Sequence, residues 1–208
     1  MVVSEELQTA LIKASELVEW ISVKLDGVEM KSDDRHRVPA LLFDVAIDHH
    51  QGIIKLLDWR NCASAFALLR CEFECFVRGA WLHYCANDDQ IESFIQNDRL
   101  PLDFAKLIDA LEQQPSFQNQ FLSVIKDQAW KAMNSYTHGG TYQISRRLQD
   151  GYIESNFEDA ELLEVIQFSG MMAVLTLNQI ATLADRQDIV DESQVRFISN
   201  FPNLPPLP

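Results

Sequence analysis

Residues 61–86, NCASAFALLRCEFECFVRGAWLHYCA, contain no proline and one glycine, and apolar side chains cover nearly the whole circumference of the helix they predict. A helix apolar all round is stable in water only when other elements enclose it. This stretch is therefore expected to be the central helix of a helical bundle. Apolar residues recur at helical spacing through most of the remaining chain, and no run alternates as a half-buried strand does. Glycine and proline supply 7 residues each of 208, well below ordinary usage, so few turns interrupt the pattern.

The segments read in order. Helix one runs from near Ser4 to Gly27, and helix two from Pro39 to Trp59. Asn61 is expected to cap helix three. Short helices follow, bounded by Asn87, Pro101 and Pro115. A longer helix covers 117–138, a short one 141–149 and a long one 157–185, with a last helical turn or two before the tail. Long helices joined by short loops pack most simply side by side. The fold class is all-α: an antiparallel up-down helical bundle of six to eight helices, forming one domain over residues 1–200. FPNLPPLP, residues 201–208, is a proline-rich C-terminal tail that cannot be helix.

Inside so apolar a helix the charges are informative. Arg70, Glu74 and Arg78 stand four apart and form a ladder along one face, with Trp81 at the next turn. Buried charges must pair or cost several kcal/mol each, on the order of magnitude known for such groups. The ladder reads either as an ion pair network that satisfies itself or as one wall of a polar pocket. Asn134 and His138, also four apart and aligned with Trp130, would complete that pocket. They lie in NSYTHGG, where Gly139 suits a left-handed helix end and the helix dipole favours the histidine.

The net charge is -14, which argues against DNA and anionic membranes as partners. Residues 130–150 differ: Lys131, Arg146 and Arg147 face Asp150 alone, giving the one positive window. Arg146 and Arg147 are candidate contacts to a small anion or to an acidic or phosphorylated protein partner. In DHHQ, residues 48–51, both histidines fall on apolar stripes, so hydrogen-bonded core histidines are expected in place of a metal site. No metal and no cofactor are expected. The N-terminal segment is amphipathic and acidic where a signal peptide would need a basic start and an apolar run, so the cytoplasm is the expected compartment. Cys62, Cys71, Cys75 and Cys85 share one helix and read as reduced thiols. The window 165–184 is uncharged, but Gln167, Ser169, Asn178 and Gln179 favour a buried bundle helix over a membrane span.

ALLRCEFECFVRGAWLHYCA taken with WKAMNSYTHGG and the following Arg-Arg pair resembles a group of uncharacterised bacterial all-helical proteins. These pair an Arg-x-x-x-Glu helix with a later helix ending in Tyr-x-His or Ser-x-x-His, and the likeness covers roughly residues 38–185. More distantly the bundle resembles HEPN domains, many of which are dimeric, metal-independent RNases of toxin and defence systems. Their signature, an Arg followed after four to six residues by His, matches Arg78 and His83. The first functional reading is a homodimeric binding or regulatory bundle in bacterial stress or defence. The second, implied by the resemblance, is a HEPN-like RNase or toxin, with RNA as partner. A third and weaker reading is a metal-dependent enzyme using His49 or His50, His83 and His138.

Overall fold

A computed structural model describes residues 4–201; the tail prolines from Pro202 onward lie outside the described residues. Nine α-helices make up the described part: α1 (Glu5–Leu25), α2 (Asp34–Asp58), α3 (Cys62–Tyr84), α4 (Asp88–Asn97), α5 (Phe104–Leu111), α6 (Phe121–Thr137), α7 (Thr141–Ser145), α8 (Asp159–Leu183) and α9 (Gln187–Asn200). The count exceeds six to eight because α4, α5 and α7 are short pieces between the six long helices.

Cross-helix contacts fix the directions. Phe43 lies against Gly79 and Leu68 against Gly52, so α2 and α3 are antiparallel. Thr137 bonds the Ala67 carbonyl, and the Tyr84 and Phe117 rings meet at 5.4 Å, so α6 also runs against α3. Glu72 meets Ser169 and Tyr84 meets Gln179, which makes α3 and α8 parallel. Asn178 bonds Ser193, consistent with the tight return from α8 into α9. The long helices thus alternate in direction along the chain, and the up-down bundle is observed.

Four local expectations are corrected. Helix α2 starts five residues before Pro39, because Asp33 caps it by accepting the His36 amide; Pro39 sits inside the helix. Asn61 occupies the N-cap position of α3 without a side-chain bond, since Arg60 at φ 60 turns the three-residue link tightly and the Asn61 carbonyl takes the first amides. Helix α6 starts at Phe121, later than expected, because Gln120 at φ 57 breaks the run. The expected short helix 141–149 stops at Ser145. It gives way to a hairpin, β1 (Leu148–Gln149) paired with β2 (Tyr152–Ile153). Asp150 at φ 50 and Gly151 at φ 86 supply the two left-handed residues that a type I′ turn requires.

The core is one cluster reaching from Leu7 in α1 to Phe197 in α9. Helix α8 is long and apolar enough to cross a membrane by length and composition, yet most of it is buried within the protein. Its buried polar side chains are bonded: Asn178 to Ser193 at 3.0 Å, and Gln179 accepts the Tyr84 hydroxyl at 2.8 Å. Such bonds remove the cost of enclosing amides in an apolar bundle.

Candidate functional site

The ladder on α3 forms as its spacing predicts. Arg70 Nε donates to Glu74 Oε1 at 2.6 Å, and Arg78 Nη2 donates to Glu74 Oε2 at 3.2 Å. One carboxylate thus serves two guanidinium groups, leaving an excess of one positive charge. Arg70 has two further contacts from α6. Its Cζ lies 4.9 Å above the Trp130 ring, and its Nη1 is 2.5 Å from His138 Nε2, which must be the acceptor because a guanidinium has no lone pair to offer. Trp130 itself stacks on Phe104 of α5 at 4.6 Å and 12°. The Arg70 and Glu74 side chains are about one-fifth exposed and Arg78 is 38% exposed, so the group is half-sheltered and reachable from solvent.

His138 owes its position to the way α6 ends. It is the C-cap residue, with its amide on the Asn134 carbonyl at 3.0 Å. Gly139 follows at φ +66, and the Gly140 amide reaches back to the Ser135 carbonyl at 2.7 Å, which is the Schellman pattern. A Cβ on Gly140 would come within 2.5 Å of Ser135 Oγ, whereas one on Gly139 would meet nothing within 4 Å. Gly139→Ala therefore isolates backbone strain and should cost about 1 kcal/mol, read as a lowered urea midpoint. An unchanged midpoint would show that α6 does not need this cap. Asn134 joins the cluster through its carbonyl. Among the described residues no side-chain bond links its amide to Arg70 or Glu74.

The remaining candidates go elsewhere. Arg146 is held by Glu161 and Tyr136, which keeps its guanidinium above its ordinary range and takes up the charge expected for an anion. Arg147 is exposed. Arg78 and His83 lie about 140° apart round α3, as five residues require. His83 faces His36 and Arg35 at the start of α2, and its pKa is lowered first by burial and then by those charges. The histidines of the metal reading are not brought together, and among the described residues no group of three or more His, Cys, Asp or Glu could hold an ion. His49 is half-buried. The four thiols are free, and burial pushes Cys75 up to about 11, away from thiolate chemistry.

A second constellation, built on Glu72, which sequence reasoning missed, and on Ser169, which it read only as the mark of a buried helix, occupies the centre of the bundle. Ser169 of α8 donates to Glu72 Oε1 at 3.0 Å, and its Oγ lies 2.8 Å from His50 Nδ1, which supplies the other proton. All three side chains are fully enclosed. Burial holds the Glu72 carboxyl well above its usual range and lowers His50 to about 4, so both are held in their neutral forms. His50 Nε2 and Glu72 Oε2 have no partner among the described residues. The helical pattern contained the signal: Glu72 shares the apolar stripe of Leu69, Phe73 and Phe76, where a carboxyl needs a partner. Sealed from solvent, the trio ties α2, α3 and α8 together and offers no route for a substrate.

Residues 43–203 match the model of a family of unknown function, DUF6988. The chain belongs to that family. No curated protein and no solved structure matches it. The matched span of this DUF6988 member holds the ladder, His138, the buried trio and the hairpin; α1 and the first turns of α2 lie before it.

Proposed function

We propose that this DUF6988 protein is a binding protein that receives an anionic group of phosphate type on the α3–α6 face. The observation that carries the reading is the sharing of Glu74 between two arginines, which leaves Arg78 with donor capacity at a half-sheltered surface. Arg70 is pre-oriented by Trp130 and His138, so little side-chain entropy remains to be lost when a ligand arrives. Titration calorimetry with inorganic phosphate, pyrophosphate and adenosine monophosphate tests it. At least one should bind, and Arg70→Ala or Arg78→Ala should weaken it roughly 10- to 100-fold, the equivalent of one charge-assisted hydrogen bond. Wild-type protein that binds none of the three at millimolar concentration refutes the reading.

The contact between Arg70 and His138 favours a second reading. A guanidinium for a phosphate and an imidazole for a proton are the parts of metal-independent RNA cleavage. Under it, purified protein cuts RNA in the presence of chelator and His138→Ala stops the cleavage. RNA left intact by the wild type removes it.

A further inference from the structure

Two opposed influences meet on the His138 ring. As the acceptor for Arg70 Nη1, 2.5 Å away, it must keep Nε2 bare, because the guanidinium is always protonated. As the C-cap residue of α6 it stands where the carbonyl end of a helix favours an imidazolium. A proton on Nε2 would replace a hydrogen bond by two like charges at contact distance, so Arg70 opposes it in the free protein.

The charged groups on the elements packed against α6 show what could reverse this. Helix α3 presents Arg70 with Glu74 behind it, and Glu74 already divides its two oxygens between Arg70 and Arg78. Helix α5 and its cap bring Asp109 together with Asp103 and Lys106, the last two paired at 3.1 Å. Helix α7 has no charged side chain, and Tyr142 is its titratable group. On α6 itself the exposed Lys131 lies seven residues, about two turns, before His138 and so on the same side. Among the described residues no carboxylate bonds His138, so an anion from outside is what would support a proton there.

On the reading that this face receives an anion of phosphate type, we propose that the anion and one proton from solvent bind together. The anion's oxygens take over Arg70 Nη1, and the freed His138 Nε2 accepts the proton and becomes a second donor to the same anion. His138 is exposed, so both can reach it, and Trp130 keeps the Arg70 guanidinium in place while it changes partner. Affinity therefore gains from acid. A site of permanently charged arginines alone would do the reverse, because a phosphate monoester loses its second proton near pH 6 and is the stronger anion in base.

The test compares the wild type with His138→Gln, whose carbonyl keeps an acceptor for Arg70 and takes no proton. Each full chain is titrated calorimetrically with pyrophosphate and with adenosine monophosphate at pH 6 and 8. Protonation of the ligand is common to both proteins and cancels in the ratio of their affinities. That ratio, wild type over variant, should be about 5- to 10-fold larger at pH 6 than at pH 8, within the tenfold per unit that one linked proton permits. In 15N spectra at pH 7, saturating pyrophosphate should move His138 Nε2 from the position of a bare ring nitrogen to that of a protonated one. Binding with a ratio indifferent to pH and Nε2 still bare overturns the coupling and leaves the anion reading standing. A wild type that binds neither ligand at either pH at millimolar concentration overturns both.

Discussion

Phe43→Ala lowers the stability of the protein by about 3–5 kcal/mol, the range for emptying a fully enclosed aromatic site. Phe43 has no exposed surface, its ring lies 5.9 Å from Phe76, and it covers the one glycine of α3. A Cβ on Gly79 would stand 2.8 Å from the Phe43 ring, so the two residues are matched in volume. Gly79→Ala gains about 1 kcal/mol of helix propensity and loses about 1–3 kcal/mol to overpacking, a net loss far smaller than that of Phe43→Ala. Combining Gly79→Ala with Phe43→Leu should cost less than the sum of the two changes, because the smaller ring site admits the methyl group. Urea unfolding of the wild type and the four variants measures all three quantities. Additive losses in the double variant, or a cost under 1 kcal/mol for Phe43→Ala, would mean that α2 and α3 do not meet as described.

Glu72→Gln changes how stability depends on pH. The folded state raises the Glu72 pKa, so above the ordinary carboxyl value of 4.5 the folded protein holds a proton that the unfolded chain has released. Stability then falls as pH rises, until the folded pKa is passed. His50 acts in the other direction. Its pKa drops from 6.5 to about 4, so the unfolded chain binds the extra proton and stability falls as pH falls through that window. Between 4.5 and 6.5 the two slopes oppose each other in the wild type. Glutamine removes one of them. Relative to wild type, the variant should gain up to ~1.4 kcal/mol per pH unit from 4.5 upward until the folded Glu72 pKa is passed, and its own curve below 6.5 should show the His50 loss unopposed, about 3 kcal/mol in all by pH 4. Burying an amide in place of the carboxyl adds a constant offset and leaves the slopes intact. Parallel stability curves for the two proteins between pH 4 and 9 would disprove neutral burial of Glu72.

The fold was legible because it rests on period. Helix α3 is apolar all round and cannot be anything but enclosed, and α8 carries the same message once its amides are seen to bond across the bundle. Starts and stops were less legible because short-range chemistry decides them: Asp33 pre-empts Pro39, and the Asp150–Gly151 turn draws the last residues of what reads as a helix into a hairpin. The ladder was readable from spacing alone, and so were Gly139 as a left-handed cap and His50 as a core histidine. The partners of His50 were not, since Ser169 lies 119 positions away and no local pattern links them. Arg146 was misjudged for the same reason: its neutralising carboxylate comes from the first turn of α8.

The alternation of the six long helices has an electrostatic corollary. Three run one way and three the other, so the half-charges at their termini largely cancel. The external field of the protein is therefore that of its ionised side chains. With acidic residues spread over the bundle and absent from Trp130 to Gln149, the stretch at the end of α6 repels a negatively charged molecule less than its acidic surroundings do. Encounter with such a molecule would be steered toward this side, with a preference that fades as ionic strength shortens the screening length to about 10 Å at 0.1 M.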